Sequence, residues 1–264
     1  MNILFIGDIS GKIGRKTVKR ILPKLKKAEK IDLVIANVEN CAHGFGVTEK
    51  TLLELQKAGI DFMTTGDHAL KREKQFFVYD KYPIIRPANY SQEAPGEGYK
   101  IIKAKDKNIV VINLIGRVFM KMDYDCPFHK INEILANLAL QKIDIFAIIV
   151  DIHAECSSEK VSLNHYIDGK VSAVLGTHTH IMTADSEVTR KGTAYITDVG
   201  MTGFRDGSLG LEFKGIIKSY LTQIKETHVI PEKGRTIFNS VLIEIDDKSK
   251  KVKTIKPITK YTKI

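Results

Sequence analysis

The sequence predicts an α/β fold on three observations. Apolar, strand-like runs alternate with helical patterns over the first 180 residues, which is the pattern of βαβ units around a buried sheet. Five of these runs, at residues 2–6, 33–38, 61–65, 145–150 and 171–175, stop on a side chain able to hold a metal. Finally, 264 residues, 43% of them hydrophobic, are enough to bury one sizeable core. Side chains just past the carboxyl ends of parallel strands converge on one crevice, so five such endings predict a single polar site.

Each element follows from local pattern. The run 2–6 leads into Gly7 and Asp8, and residues 15–27 carry Val18, Ile21, Leu22 and Leu25 at helical spacing. The run 33–38 ends on Glu39 and Asn40; Thr48 then caps a helix through Leu52, Leu55 and Ala58. The run 61–65 leads into Gly66, Asp67 and His68. A Pro- and Gly-containing connection at 87–98 precedes two alternating runs, 99–104 and 109–114, which read as a hairpin across 105–108. Residues 131–140 repeat the helical pattern. The run 145–150 ends on Asp151, Ile152 and His153, and 171–175 on Gly176, Thr177, His178, Thr179 and His180. A short strand at 193–197, a glycine-rich loop at 200–210, a helix at 213–221 and strands at 240–245 and 252–258 complete the chain. No internal repeat interrupts it, so residues 1–264 are expected to form one domain with a small accessory element.

No apolar run approaches the roughly 20 residues that cross a bilayer, and the first residues lack the basic lead-in and cleavage site of a signal peptide. A cytoplasmic protein that does not engage membranes is expected. Three cysteines, Cys41, Cys126 and Cys156, form no C-x-x-C pair, which argues against a disulfide framework and for small buried residues. The net charge of +10 suits an anionic substrate or RNA. Lysines such as Lys16, Lys19, Lys24, Lys26, Lys27 and Lys30 are spread over solvent faces, however, so a nucleic-acid groove is the weaker reading. The densest basic run, at 248–253, falls at the turn between the last two strands.

Gly7 to Lys12 falls one residue short of a P-loop and has Ile13 where magnesium would need a hydroxyl; no G-x-S-x-G elbow is present. What remains is the set Asp8, Glu39, Asn40, Asp67, His153, His178 and His180, whose mixture of carboxylate, amide and imidazole fits borderline transition metals. Seven ligands are too many for one such ion. They fit two, about 3.5–4 Å apart, the arrangement that clamps the attacking and leaving oxygens of a phosphate ester.

These residues carry a resemblance. Gly7-Asp8, Glu39-Asn40 with Ala42-His43-Gly44, Gly66-x-His68, Asp151-x-His153-Ala154-Glu155, Gly176-Thr177-His178-Thr179-His180 and Thr197-Asp198-Val199-Gly200-Met201-Thr202-Gly203 resemble the YmdB-like branch of the calcineurin-like metallophosphoesterases over nearly the whole chain. The resemblance implies a four-layer α/β/β/α sandwich with a small cap, hydrolysis of cyclic nucleotides such as 2′,3′-cyclic AMP, and a homo-oligomer. It implies two metal ions, divalent or trivalent, with iron or manganese ahead of magnesium or zinc. Carried over by position, Asp8, Asn40 and His180 serve one metal, Glu39 bridges, and Asp67, His153 and His178 serve the other. A metal-bridging hydroxide would attack phosphorus while His68 protonates the leaving ribose oxygen. His43 reads equally as a group behind the ligands or as part of a tight loop. His129, His165 and His228 lie outside the motifs.

Three positions depart from the family, which has Asn where this chain has Asp67 and usually Thr-Trp where it has Ala69-Leu70. The extra carboxylate lowers the net charge of a two-metal site from about +1 to roughly zero, by simple charge counting. Lower activity or a shifted metal preference, toward a pair with one trivalent iron, is the expectation. The alternatives are a metal-dependent phosphomonoesterase, or a regulator that binds a nucleotide or RNA without useful turnover.

Overall fold

Strands that are apolar on both faces must be covered on both faces. The chain, described by a computed structural model over residues 1–264, meets that demand with two packed sheets and a helical layer outside each. The first sheet contains β1 (Asn2–Ile6), β2 (Asp8–Ile9), β3 (Leu33–Asn37) and β4 (Phe62–Thr64). The second contains β5 (Tyr99–Ala104), β6 (Lys107–Ile115), β7 (Ile145–His153), β8 (Ala173–Thr177), β9 (Glu187–Val188) and β10 (Ala194–Ile196). The chain then returns to the first sheet with β11 (Met201–Phe204), β12 (Arg235–Ile245) and β13 (Val252–Lys263). The first sheet runs β2-β11-β12-β1-β3-β4, with β13 also on β12; the second runs β5-β6-β7-β8-β10-β9. The inner strands β1, β3 and β4 are mutually parallel, as are β6, β7, β8 and β10.

The period of two decides which side chain meets which layer. Ile3, Phe5, Leu33 and Ile35 point between the sheets, against Ile109, Val111, Ile149 and Leu175. Their neighbours Leu4, Ile6, Val34 and Ala36 point outward onto α1 (Gly11–Ala28) and α2 (Glu49–Lys57), meeting Val18, Leu22, Leu52 and Leu55. On the far side, Val110, Ile112, Val150 and Val174 pack on α4 (Pro127–Leu140) and α5 (Ser157–Ile167) through Ile131, Ile134, Leu163 and Ile167. The order helix, sheet, sheet, helix is the four-layer sandwich the resemblance implies. The one-turn helix α3 (Val78–Lys81) adds Val78 and Tyr79 to the first outer layer, and α6 (Phe213–Thr222) buries none of its residues fully.

Several boundaries differ from the sequence expectation. Helix α1 starts at Gly11, four residues early, and runs through Pro23; Lys26 and Lys27 lie in its last turn. Helix α2 opens as expected on Thr48, whose side chain accepts from the Thr51 amide while Thr51 Oγ1 accepts from the Thr48 amide. Helix α4 begins with Pro127 in its first turn, where a missing amide hydrogen costs nothing. The hairpin turns on Lys105 and Asp106 alone, both at positive φ, and β6 resumes at Lys107. Strand β7 continues through His153, so this candidate ligand lies within the strand, and the loop 200–210 contains β11. The terminal strands are longer than expected because they pair with each other over nearly their whole length. Helix α5 has no counterpart in the expected elements. Cys41 is buried, but Cys126 and Cys156 are only half-buried, since both stand at helix entries. No helix is long and apolar enough to cross a membrane. Connections at 87–94 and 117–125 are tied together through Asn89, whose Nδ2 donates to the carbonyls of Ile115 (2.7 Å) and Asp125 (2.8 Å).

Candidate metal centre

The parallel strands of both sheets deliver their carboxyl ends to one place. Glu39 and Asp67 follow β3 and β4 of the first sheet; His153 ends β7 and His178 follows β8 of the second. Each of these four offers a ligand atom within 4.8 Å of the others. His153 Nε2 is 3.4 Å from Glu39 and 3.3 Å from Asp67, and His178 Nδ1 is 2.9 Å from His153 Nε2. Asp8, Asn40 and His180 adjoin the cluster. Asp8 Oδ1 lies 3.9 Å from His153 Nδ1, and Asp8 Oδ2 accepts from the His178 amide at 3.1 Å. Asn40 Nδ2 lies 3.1 Å from Glu39 Oε1 and 3.3 Å from His180 Nε2, so Glu39 and Asn40 join the two groups. All seven candidate ligands therefore share one site.

Close approach is built into the backbone. A Cβ at Gly66 would stand 2.2 Å from His153 Cδ2, so only glycine lets the β4 loop reach this imidazole. A Cβ at Gly7 would stand 1.8 Å from the Gly200 carbonyl, which lies over the path from β1 to Asp8. His178 and His180 have φ of 101° and 67°, a conformation that costs roughly 1–3 kcal/mol for a side-chain-bearing residue and must be held by its surroundings.

Polar groups behind the ligands provide that hold. Lys160 Nζ donates to the Thr177 carbonyl and to Asp198 Oδ2, each at 2.8 Å, and Asp198 accepts from the Thr179 amide and hydroxyl. Thr177 Oγ1 meets Asp151 Oδ1 at 2.7 Å and His153 Nδ1 at 2.9 Å, which leaves Nε2 for the cluster. Thr64 and Asn37 contact the other oxygen of Asp151. Glu155 takes His178 Nε2 at 3.2 Å and the Leu209 carbonyl faces His180 Nδ1 at 3.1 Å, so the opposite nitrogen of each ring faces the cluster. Sequence reasoning quoted Asp151, Glu155 and Asp198 only as parts of motifs and missed Asn37 and Lys160. A carboxylate beside a candidate ligand inside a strand was the available signal for Asp151.

The electrostatics favour a cation. Asp8 Oδ1 is buried with no hydrogen-bond partner, and an orphaned buried acceptor among carboxylates and imidazoles fits a metal ligand. Burial raises the pKa of Asp8. Burial opposes protonation of His153, yet the charges of Glu39 and Asp8 and hydrogen bonds to Asp67 and Glu39 raise its pKa well above the ordinary value. The same field attracts a bound cation. Burial and the neighbouring His153 push His178 down to about 4, keeping it neutral. Burial pushes the Asp151 carboxyl up to about 7.

His68 stands at the mouth with its side chain 20% exposed. Its backbone amide donates to Glu39 Oε2 at 3.0 Å, its Nδ1 meets Asn40 Oδ1 at 2.8 Å, and its Nε2 is 3.6 Å from Asp67. Burial would lower its pKa, but Glu39 and Asp67 raise it overall. His43 is exposed in a tight turn with φ of 59°, which favours the loop reading over a place behind the ligands. His129, His165 and His228 are exposed and lie outside these motifs.

Known proteins share this framework. A 2′,3′-cyclic-nucleotide 2′-phosphodiesterase of Bacillus subtilis (strain 168) is 46% identical over 259 residues, covering 98% of this chain and 96% of the relative. A crystal structure described as a novel phosphatase of Mycoplasma pneumoniae superposes with a TM-score of 0.90 at 33% identity, over 99% of this chain and 93% of the other. The NAD nucleotidase of Haemophilus influenzae, 12% identical, shares the fold alone, with a TM-score of 0.59 over 100% of this chain and 56% of its own. The profile of the YmdB-like protein family matches residues 4–258. The chain therefore belongs to the YmdB-like family of calcineurin-like metallophosphoesterases, metal-dependent hydrolases of phosphate esters.

Proposed function

We propose that the protein is a dinuclear-metal phosphodiesterase that opens cyclic nucleotides such as 2′,3′-cyclic AMP. The observation that carries this reading is the convergence of Glu39, Asp67, His153 and His178 within 4.8 Å, with Asp8, Asn40 and His180 alongside and His68 at the mouth. In this reading Asp8, Asn40 and His180 hold one metal, Asp67, His153 and His178 the second, and Glu39 both. When bound there, the metals supply positive charge to the phosphoryl oxygens and a water acidic enough to act as nucleophile near neutral pH. The oxygen and imidazole donors favour iron or manganese over magnesium, with zinc the remaining alternative.

His68 is the general acid of this reading. Asn40 Oδ1 accepts from Nδ1–H and fixes the ring, so Nε2–H can be given to the leaving ribose oxygen. Such a role is typically worth roughly 10²–10⁴ in rate. The bound phosphate would sit between this ring and the ligand cluster. The rest of the reading is a single domain over residues 1–264, acting in the cytoplasm as a homo-oligomer, with the cyclic nucleotide rather than RNA as its ligand.

The test is hydrolysis of 2′,3′-cyclic AMP by metal-free protein reconstituted with manganese or iron, with metals counted per chain. Two metals and turnover that falls about 10²-fold or more in His68→Ala, on the general-acid scale, are expected. Turnover of p-nitrophenyl phosphate but not of bis-(p-nitrophenyl) phosphate would replace this reading with a phosphomonoesterase. Two metals with nucleotide binding and no turnover would replace it with a regulator.

A further inference from the structure

Beside the ligand cluster lies a cavity of about 510 Å³ with Asp67 in its wall. It thus opens directly from a candidate metal ligand. Its volume falls in the roughly 300–1,000 Å³ range of small-molecule sites. The apolar part of the wall is Leu70, Tyr90, Ala94, Met122 and Tyr124. The tyrosine rings lie 4.8 Å apart at 37°, and Tyr90 Oη donates to the Gly66 carbonyl at 3.0 Å, next to Asp67. Tyr90 is thereby tied to the loop carrying the candidate ligand, and Tyr124 is tied to Tyr90. Asn89 joins the two segments that carry these tyrosines: besides its two side-chain donations, its carbonyl accepts from the Asp125 amide at 3.0 Å. The lip carries the exposed carboxylates Glu93, Asp123 and Asp125, which outnumber the single exposed cation there, Lys71.

We infer that this cavity is the nucleobase subsite: the base stacks on the Tyr90–Tyr124 pair and presents an exocyclic amine to Asp123 and Asp125. The inference rests on the phosphodiesterase reading and adds to it a preference for amine-bearing bases, adenine before uracil. An aromatic base supplies the flat apolar surface that the tyrosines match, and its amine supplies the donors that acidic acceptors require. A cyclic phosphate on the ribose of the same nucleotide would then lie toward Asp67, at the cluster. No proton or bond changes hands at this subsite; it positions substrate only.

The experiment compares kcat/KM for 2′,3′-cyclic AMP, 2′,3′-cyclic UMP and a base-free methyl ribose 2′,3′-cyclic phosphate, in the metal-loaded protein and in Tyr124→Ala and Asp123→Asn. Base–aromatic stacking predicts that Tyr124→Ala lowers the ratio of cyclic AMP to base-free diester about tenfold. Asp123→Asn, a change on the exposed lip, lowers the ratio of cyclic AMP to cyclic UMP. Ratios unchanged in both variants, with normal turnover, overturn the subsite while leaving the phosphodiesterase reading in place. If no diester is turned over, calorimetric binding of 2′-AMP separates the two. Binding weakened by Tyr124→Ala supports the subsite without the activity, and binding indifferent to both variants overturns it.

Discussion

Lys160 and Asp198 form an ion pair at 2.8 Å with both side chains entirely out of contact with solvent. The pair also joins α5 to the loop of candidate ligands, through the Thr177 carbonyl and the Thr179 amide. Removing one partner leaves an uncompensated buried charge. Lys160→Met is therefore expected to destabilise the fold by about 3–5 kcal/mol, as for other broken buried pairs. Urea unfolding of the metal-free protein measures it, and a loss under about 1 kcal/mol, the scale of an exposed pair, would contradict it.

Thr177 links Asp151 to His153, and its role is separable from packing. Thr177→Val keeps the shape but removes the hydroxyl that orients His153 Nδ1. Metal affinity is expected to fall about 10- to 100-fold, as when a group supporting a metal ligand is lost, and Thr177→Ser should restore it. Manganese titration of metal-free protein against a chelator reads this directly. Equal affinity in the valine variant would show that the hydroxyl does not orient the ring.

Asp67 adds a carboxylate 3.3 Å from His153 Nε2. Asp67→Asn removes one negative charge from the site, so turnover with two divalent ions is expected to rise, or metal preference to move away from trivalent iron. Paired measurements of turnover and metal content after reconstitution check this. Identical values for the variant and the unmodified protein would end the idea that Asp67 tunes the centre.

Asp185, outside the candidate ligand set, supplies a pH dependence of stability. Burial opposes its charge, but hydrogen bonds from Thr183 and from the hydroxyl and amide of Thr197 outweigh burial and lower its pKa below the ordinary 3.8. A folded-state pKa below the unfolded one means that ionised Asp185 adds stability above about pH 3.8, lost as pH falls through the folded value. Asp185→Asn should lower Tm at pH 7, with a smaller difference from the unmodified protein near pH 3. A difference that stays constant across this range would exclude the linkage.

The strand endings were legible because a parallel strand needs only a short apolar run, and the residue after the run falls at the carboxyl edge whatever the rest of the chain does. Asp8, Glu39, Asn40, Asp67, His153, His178 and His180 could thus be named without coordinates. Helix α5 could not, since Glu159, Lys160 and Asn164 lie on its buried face and break the apolar period. Their partners are distant in sequence: Glu159 accepts from the amides of Arg117 and Val118, and Lys160 from α5 reaches Asp198.

By itself the sequence determined local structure and the chemistry of the strand ends, because alternation, capping and strand termination act over a few residues. Its residue pattern alone reached an α/β fold; two sheets, and then the four layers, entered through the resemblance. Only the tertiary structure decided that Thr177 bridges Asp151 and His153, that Lys160 pairs with Asp198, and that a cavity walled by Tyr90 and Tyr124 opens beside Asp67. Those relationships depend on how separate sheets and loops pack, and no short-range pattern encodes the distance between residues that meet across them.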